Sequence, residues 1–108
     1  MEVIYILMSK RTVYIYVTPV APGVTKVGKS FNPSGRFPNS IMFKQNSKPS
    51  DCFTLEVAAH RALQPLQLSK AAAKTYDAKF GSTELFGCST ATALEMLSDL
   101  LSDYATEL

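Results

Sequence analysis

The sequence predicts an α+β domain: a small, mostly antiparallel sheet of about three to four strands, flanked by helices. Three stretches carry that expectation. Residues 12–37 hold two short apolar runs rich in β-branched and aromatic side chains, separated by a turn containing Pro22 and Gly23. In residues 54–64 apolar positions recur every fourth residue, and in residues 89–108 at steps of three and four, the spacing of helices with one buried face. The chain has 108 residues, 46% hydrophobic and 19% charged, which suits one globular domain. No internal repeat or low-complexity linker divides it, so residues 1–108 are read as one unit, with residues 1–11 as an N-terminal strand extension.

Taken in order, residues 2–8 are strand-like, and the apolar run VIYILM could pair as an edge strand across a homodimer. It lacks the basic stretch and small-residue cleavage pattern of a signal peptide, and no apolar run reaches the ~20 residues of a membrane span. A cytoplasmic protein is expected. Residues 12–18 alternate as a strand, with Tyr14 and Tyr16 on one face and Val13, Ile15 and Val17 on the other. After the Pro/Gly turn, residues 24–27 return as its hairpin partner.

Asn32 and Pro33 form a helix start, Asn as N-cap and Pro at the first position. Gly35 and Pro38 keep that helix short. Residues 41–43 make a third strand, and residues 44–51, KQNSKPSD, a loop. Thr54 opens a clearer helix with Leu55, Ala59 and Leu63 on one face, ended by Pro65. Glu56 and His60, also four apart, share another. Residues 68–80 read equally as helix or long loop. Residues 84–88 form a short strand, and Ser89 caps a final helix whose stripe is Leu94, Leu97, Leu101, Tyr104 and Leu108.

Charge is unevenly placed. Residues 1–80 carry all 11 Lys and Arg against four acids, a balance of +7, while residues 81–108 carry five acids and no base, a balance of −5. A basic body meeting a polyanion and a solvated surface with an acidic helix fit this equally. Cys52 and Cys88 lack metal-ligand spacing. A disulfide stays open, though two reduced thiols suit a cytosolic chain better. With one histidine and two thiols, the composition disfavours a zinc site.

Several short motifs together resemble the GIY-YIG endonuclease superfamily, in particular its phage-associated branch with a Lys-Ile/Val-Gly second motif. Tyr14-Ile15-Tyr16 stands in the place of Gly-Ile-Tyr, and Lys26-Val27-Gly28, followed by Lys29, in the place of Tyr-Ile-Gly. Asn32-Pro33 leads to Arg36, the counterpart of the family's arginine. Glu56 and His60, in LEVAAHRAL, resemble its Glu-x-x-x-His, and Glu84, in TELFGCS, its acidic metal ligand. The pieces run in family order over residues 12–102.

The resemblance implies hydrolysis of DNA phosphodiester bonds, with double-stranded DNA as partner and Mg²⁺ or Mn²⁺ as cofactor. The implied catalytic residues are Tyr16, Lys26, Lys29, Arg36 and His60. Tyr16 would be the base, and because a phenol's ordinary pKa is about 10, Lys26, Lys29 or a metal would have to favour its phenolate. Arg36 would hold a phosphate oxygen through its fork of donors, His60 would hydrogen-bond phosphate or water, and Glu84 would ligate the metal. Lys10, Arg11, Lys44, Lys48 and Arg61 are the basic side chains expected on the nucleic acid. On residues alone, Tyr14 and Tyr16 read equally as half-buried strand tyrosines, His60 as a helix histidine and Arg36 as a residue beside a turn. Lys26 for the second tyrosine and Ser40 for a frequent tyrosine or histidine leave an alternative: an inactive module of this type that binds nucleic acid or a protein.

Overall fold

The structure, a computed structural model, describes residues 14–30, 35, 37–50 and 53–108. The expected N-terminal strand with its homodimer pairing, the helix start at Asn32 and Pro33, Lys10, Arg11, Arg36 and Cys52 lie outside the described residues.

Among the described residues there are five strands rather than three or four: β1 (Tyr14–Ala21), β2 (Val24–Ser30), β3 (Ile41–Gln45), β4 (Leu85–Phe86) and β5 (Ala105–Glu107). They form one antiparallel sheet in the order β4-β2-β1-β3-β5. Among the described residues the helices are α1 (Leu55–Leu63), α2 (Lys70–Ala73), α3 (Thr90–Met96) and α4 (Ser98–Tyr104), with single 3-10 turns at Gln64–Leu66 and Ala78–Phe80. The fold is α+β. No helix among the described residues is long and apolar enough to cross a membrane.

The β1–β2 hairpin turns at Gly23, whose φ of 76° is a left-handed conformation that glycine adopts without strain. Alternation along β1 divides its side chains as expected. Ile15 and Val17 enter a core with Val27, Phe43 and Phe86, packed against Leu55, Ala59 and Leu63 of α1 and against Ala93, Leu97 and Leu101 of the last two helices. The opposite face carries a smaller cluster in which Val24 and Leu85 meet Ala73, with Tyr76 and Phe80 alongside. Both faces are therefore covered. Fully buried Thr25 ties them to the last helices by donating from Oγ1 to the Cys88 carbonyl at 2.8 Å. Cys88 is a free, buried thiol whose pKa burial pushes up, so it has little thiolate character.

The C-terminal quarter departs from expectation. The final helix is not continuous: it breaks at Leu97 into α3 and α4, and the chain then extends into β5 beside β3. Leu97 and Leu101 are buried as the stripe requires, yet Leu108 is exposed and its amide bonds to the Met42 carbonyl. The unpaired edge of β3 offers donors and acceptors that recruit this segment, a long-range effect absent from local helical spacing. The acids Glu95, Asp99 and Asp103 are exposed on α3 and α4, which pack on the Ile15–Val17 side of the sheet.

Candidate active site

The β1–β2 register sets Tyr16 directly opposite Gly28. Tyr16 is only 3% exposed, and its ring packs on Phe37 at 5.3 Å between centroids, while Phe37 stacks on Phe80 at 5.4 Å. The phenol lies over the glycine. A Cβ placed on Gly28 would stand 2.6 Å from Tyr16 Oη, 2.8 Å from its Cζ and 3.1 Å from Glu84 Oε2. Phenol and carboxylate therefore converge on the space that the missing side chain leaves.

Glu84 reaches this point because its backbone extends the β2–β4 ladder, with the Val27 amide donating to the Glu84 carbonyl at 3.1 Å. Its carboxylate touches side chains from both sides of the sheet. Lys26, on the Tyr16 side by alternation, lies 3.5 Å away through Nζ and also donates to the Phe80 carbonyl at 2.7 Å. His60, from α1 on the other side, holds Nε2 at 3.8 Å from Glu84 Oε2 and donates it to the Val27 carbonyl at 2.8 Å. This contact satisfies an edge carbonyl of β2. The Glu84 side chain is 30% exposed, so the cluster opens to solvent.

Glu56 is the other member. Thr54 caps α1 by accepting the Val57 amide, and the buried Leu55–Ala59–Leu63 face fixes the helix rotation. That rotation carries Glu56 and His60 together to the edge beside Glu84. One carboxylate oxygen from each glutamate and one imidazole nitrogen lie within 4.8 Å of one another.

Compared with protein-family models, curated proteins and solved structures, the chain matches none.

The site's electrostatics show at Glu56. Its carboxyl pKa is raised, first by burial and then by the Glu84 carboxylate, with His60 and Lys29 pulling the other way. The folded chain thus holds this proton more tightly than the unfolded one. Its stabilising contribution is complete below the ordinary value of 4.5 and disappears as pH rises through the folded value. In metal-free denaturant titrations, stability should fall across that window, and Glu56→Gln should flatten the fall. An unchanged slope in the variant would assign the dependence elsewhere.

Of the residues expected from sequence, Tyr16 and Glu84 meet at Gly28, and Lys26 and His60 reach the same Glu84 carboxylate. Lys29 is exposed on β2 and acts electrostatically on Glu56. Lys44 and Lys48 are exposed on β3 and in the loop after it, on the far side of β1 from Glu84, and Arg61 is exposed on α1. Glu56 was legible as a partner of His60 at helical spacing. Its approach to Glu84, 28 positions on, had no local signal.

Proposed function

We propose that this chain is a small metal-dependent endonuclease of GIY-YIG type that hydrolyses DNA phosphodiester bonds in the cytoplasm. The convergence of Tyr16 and Glu84 at the Gly28 gap, with His60 3.8 Å from the same carboxylate, carries the reading, because it joins a phenol, a carboxylate and an imidazole from three separate parts of the chain. The chain order supports the same fold assignment: an antiparallel hairpin, then α1, then Glu84 ahead of the Ser89-capped α3.

On this reading Tyr16 Oη, as its phenolate, accepts the proton of the attacking water, with the ring held in place by Phe37. Lys26 orients Glu84 through their 3.5 Å ion pair. The donor chemistry fits a small divalent ion, since carboxylate oxygens suit Mg²⁺ and Mn²⁺ alike. Held by Glu84, such an ion would supply Lewis-acid stabilisation of the charge developing on phosphate. The resemblance assigns the phosphate clamp to Arg36. Exposed Lys29, Lys44 and Lys48 are among the cations that would meet double-stranded DNA, with Arg61 exposed on α1, while the acids of α3 and α4 crowd another side.

The test is conversion of supercoiled plasmid with Mg²⁺ or Mn²⁺. The native chain should nick it, and Glu84→Ala should be slower by about 10²-fold or more. Equal rates, or no nicking under either metal, would remove the proposal. A second reading, the non-catalytic module, is favoured by one observation: Tyr16 and Lys26 are 3% and 5% exposed, as side chains retained for packing would be. Salt-sensitive DNA binding without turnover is its signature, and salt-insensitive binding would indicate a protein partner.

A further inference from the structure

The metal chemistry of this site can be taken beyond a single carboxylate. Glu84 does not stand alone at the edge of β2. Glu56 approaches it from the first turn of α1, and His60 from one turn further along the same helix. The three donors come from two elements whose relative position is fixed by a fully buried interface, since Leu55, Ala59, Leu63 and Phe86 are all 0% exposed. Glu56 and His60 are presented by α1, and Glu84 stands immediately before β4, held there by the Val27 amide's bond to its carbonyl.

We infer that Glu56, His60 and Glu84 form a three-residue cation site, two carboxylate oxygens and one imidazole nitrogen, that prefers Mn²⁺ to Mg²⁺. The inference rests on the proposed function for the need of a metal; its test is binding, not cutting.

Three arguments support it. The first is separation. The three donor atoms lie within 4.8 Å of one another, and two donors on one ion of this size stand at most about 4.4 Å apart, so small side-chain rotations close the set. The second is orientation. The contact of His60 Nε2 with the Val27 carbonyl at 2.8 Å holds that nitrogen 3.8 Å from Glu84 Oε2, and an ion bound there would take the place of the proton it donates. The ring is also braced by Phe86 at 5.4 Å. The third is charge. Two neighbouring carboxylates repel unless a proton or cation lies between them, and Lys26 is committed to the Phe80 carbonyl and one oxygen of Glu84.

The preference follows from ligand type. Carboxylate oxygens hold Mg²⁺ and Mn²⁺ comparably, but Mg²⁺ keeps its waters and takes nitrogen reluctantly, whereas Mn²⁺ accepts imidazole. A site with one nitrogen therefore discriminates between them, and a carboxylate-only site does so weakly.

The experiment titrates the full chain with Mn²⁺ and, separately, Mg²⁺ by calorimetry, and records the spin echo of the bound Mn²⁺. Mn²⁺ should bind about tenfold or more tightly than Mg²⁺, with nitrogen modulation on its echo. His60→Gln, which keeps a donor for the Val27 carbonyl, should lose the modulation and most of the preference. Glu56→Gln should weaken both ions. Equal affinities in the native chain, an echo without nitrogen modulation, or an unaltered preference in His60→Gln would each overturn the inference. The native comparison needs no variant, so a misfolded substitution does not shelter the idea. Plasmid nicking on the same samples separates the two claims. Selective Mn²⁺ binding without nicking upholds this site and removes the nuclease; nicking with equal affinities does the reverse.

Discussion

Gly28→Ala should destabilise the chain by about 1–3 kcal/mol, a fall in melting temperature of roughly 4–8 °C for each kcal/mol. Gly28 does not have a positive φ, so the backbone itself admits alanine, and Gly→Ala at such a position ordinarily stabilises by about 0.4–1 kcal/mol through the unfolded chain. The penalty here comes from space. The new methyl would sit 2.8 Å from Tyr16 Cζ, and the ring cannot retreat because it is 3% exposed and backed by Phe37. Either the strands part or Tyr16 leaves its position, and both move the phenol from Glu84. A thermal-unfolding cycle isolates the cause. In a Tyr16→Leu background, which removes the rigid ring edge, Gly28→Ala should cost much less. The same cost in both backgrounds would mean that the contact is not the reason.

Lys26→Met should cost about 2–3 kcal/mol, even though methionine retains most of the apolar stem. The ammonium is 2.7 Å from the Phe80 carbonyl, and without it that partly buried acceptor loses its donor. The 3.5 Å ion pair adds less, since the Glu84 partner is 30% exposed and partly screened by water. Loosening the Ala78–Phe80 turn would also disturb Phe80, which stacks on Phe37 and through it supports Tyr16. Denaturant unfolding measures the loss. Wild-type stability combined with impaired nicking would instead mark Lys26 as a residue that acts on phosphate.

These two positions also show where sequence reading works and where it stops. The hairpin is legible because alternation and the Pro22–Gly23 turn are properties of neighbours. The inward face of α1 is legible for the same reason: Leu55, Ala59 and Leu63 are each fully buried. The spacing of Glu56 and His60 likewise reports a shared helical face. Register is another matter. That Tyr16 faces Gly28 depends on the turn's geometry and on the irregularity between Pro19 and Ala21, and a slip of one residue would send the ring to the other side. Glu84 meets Lys26 and His60 only after the chain has folded back across more than twenty residues. The C-terminal segment failed for a related reason. Its helical spacing runs to Leu108, but the open edge of β3 competes for residues 105–107 and wins. Residues 68–80, ambiguous by composition, are indeed mixed: one short helix and one 3-10 turn.

The strand order β4-β2-β1-β3-β5 has a kinetic corollary. The three inner strands lie within residues 14–45, but both outer strands come from the second half of the chain, and Phe43 waits for Glu107 to complete its pairing. Such contacts close large loops before they yield any stabilisation, which slows the search for the native arrangement. The edge that brings Glu84 to Gly28 is one of these late arrivals. The hairpin that carries the phenol is local in sequence, whereas the carboxylate joins it only through a contact that closes most of the chain.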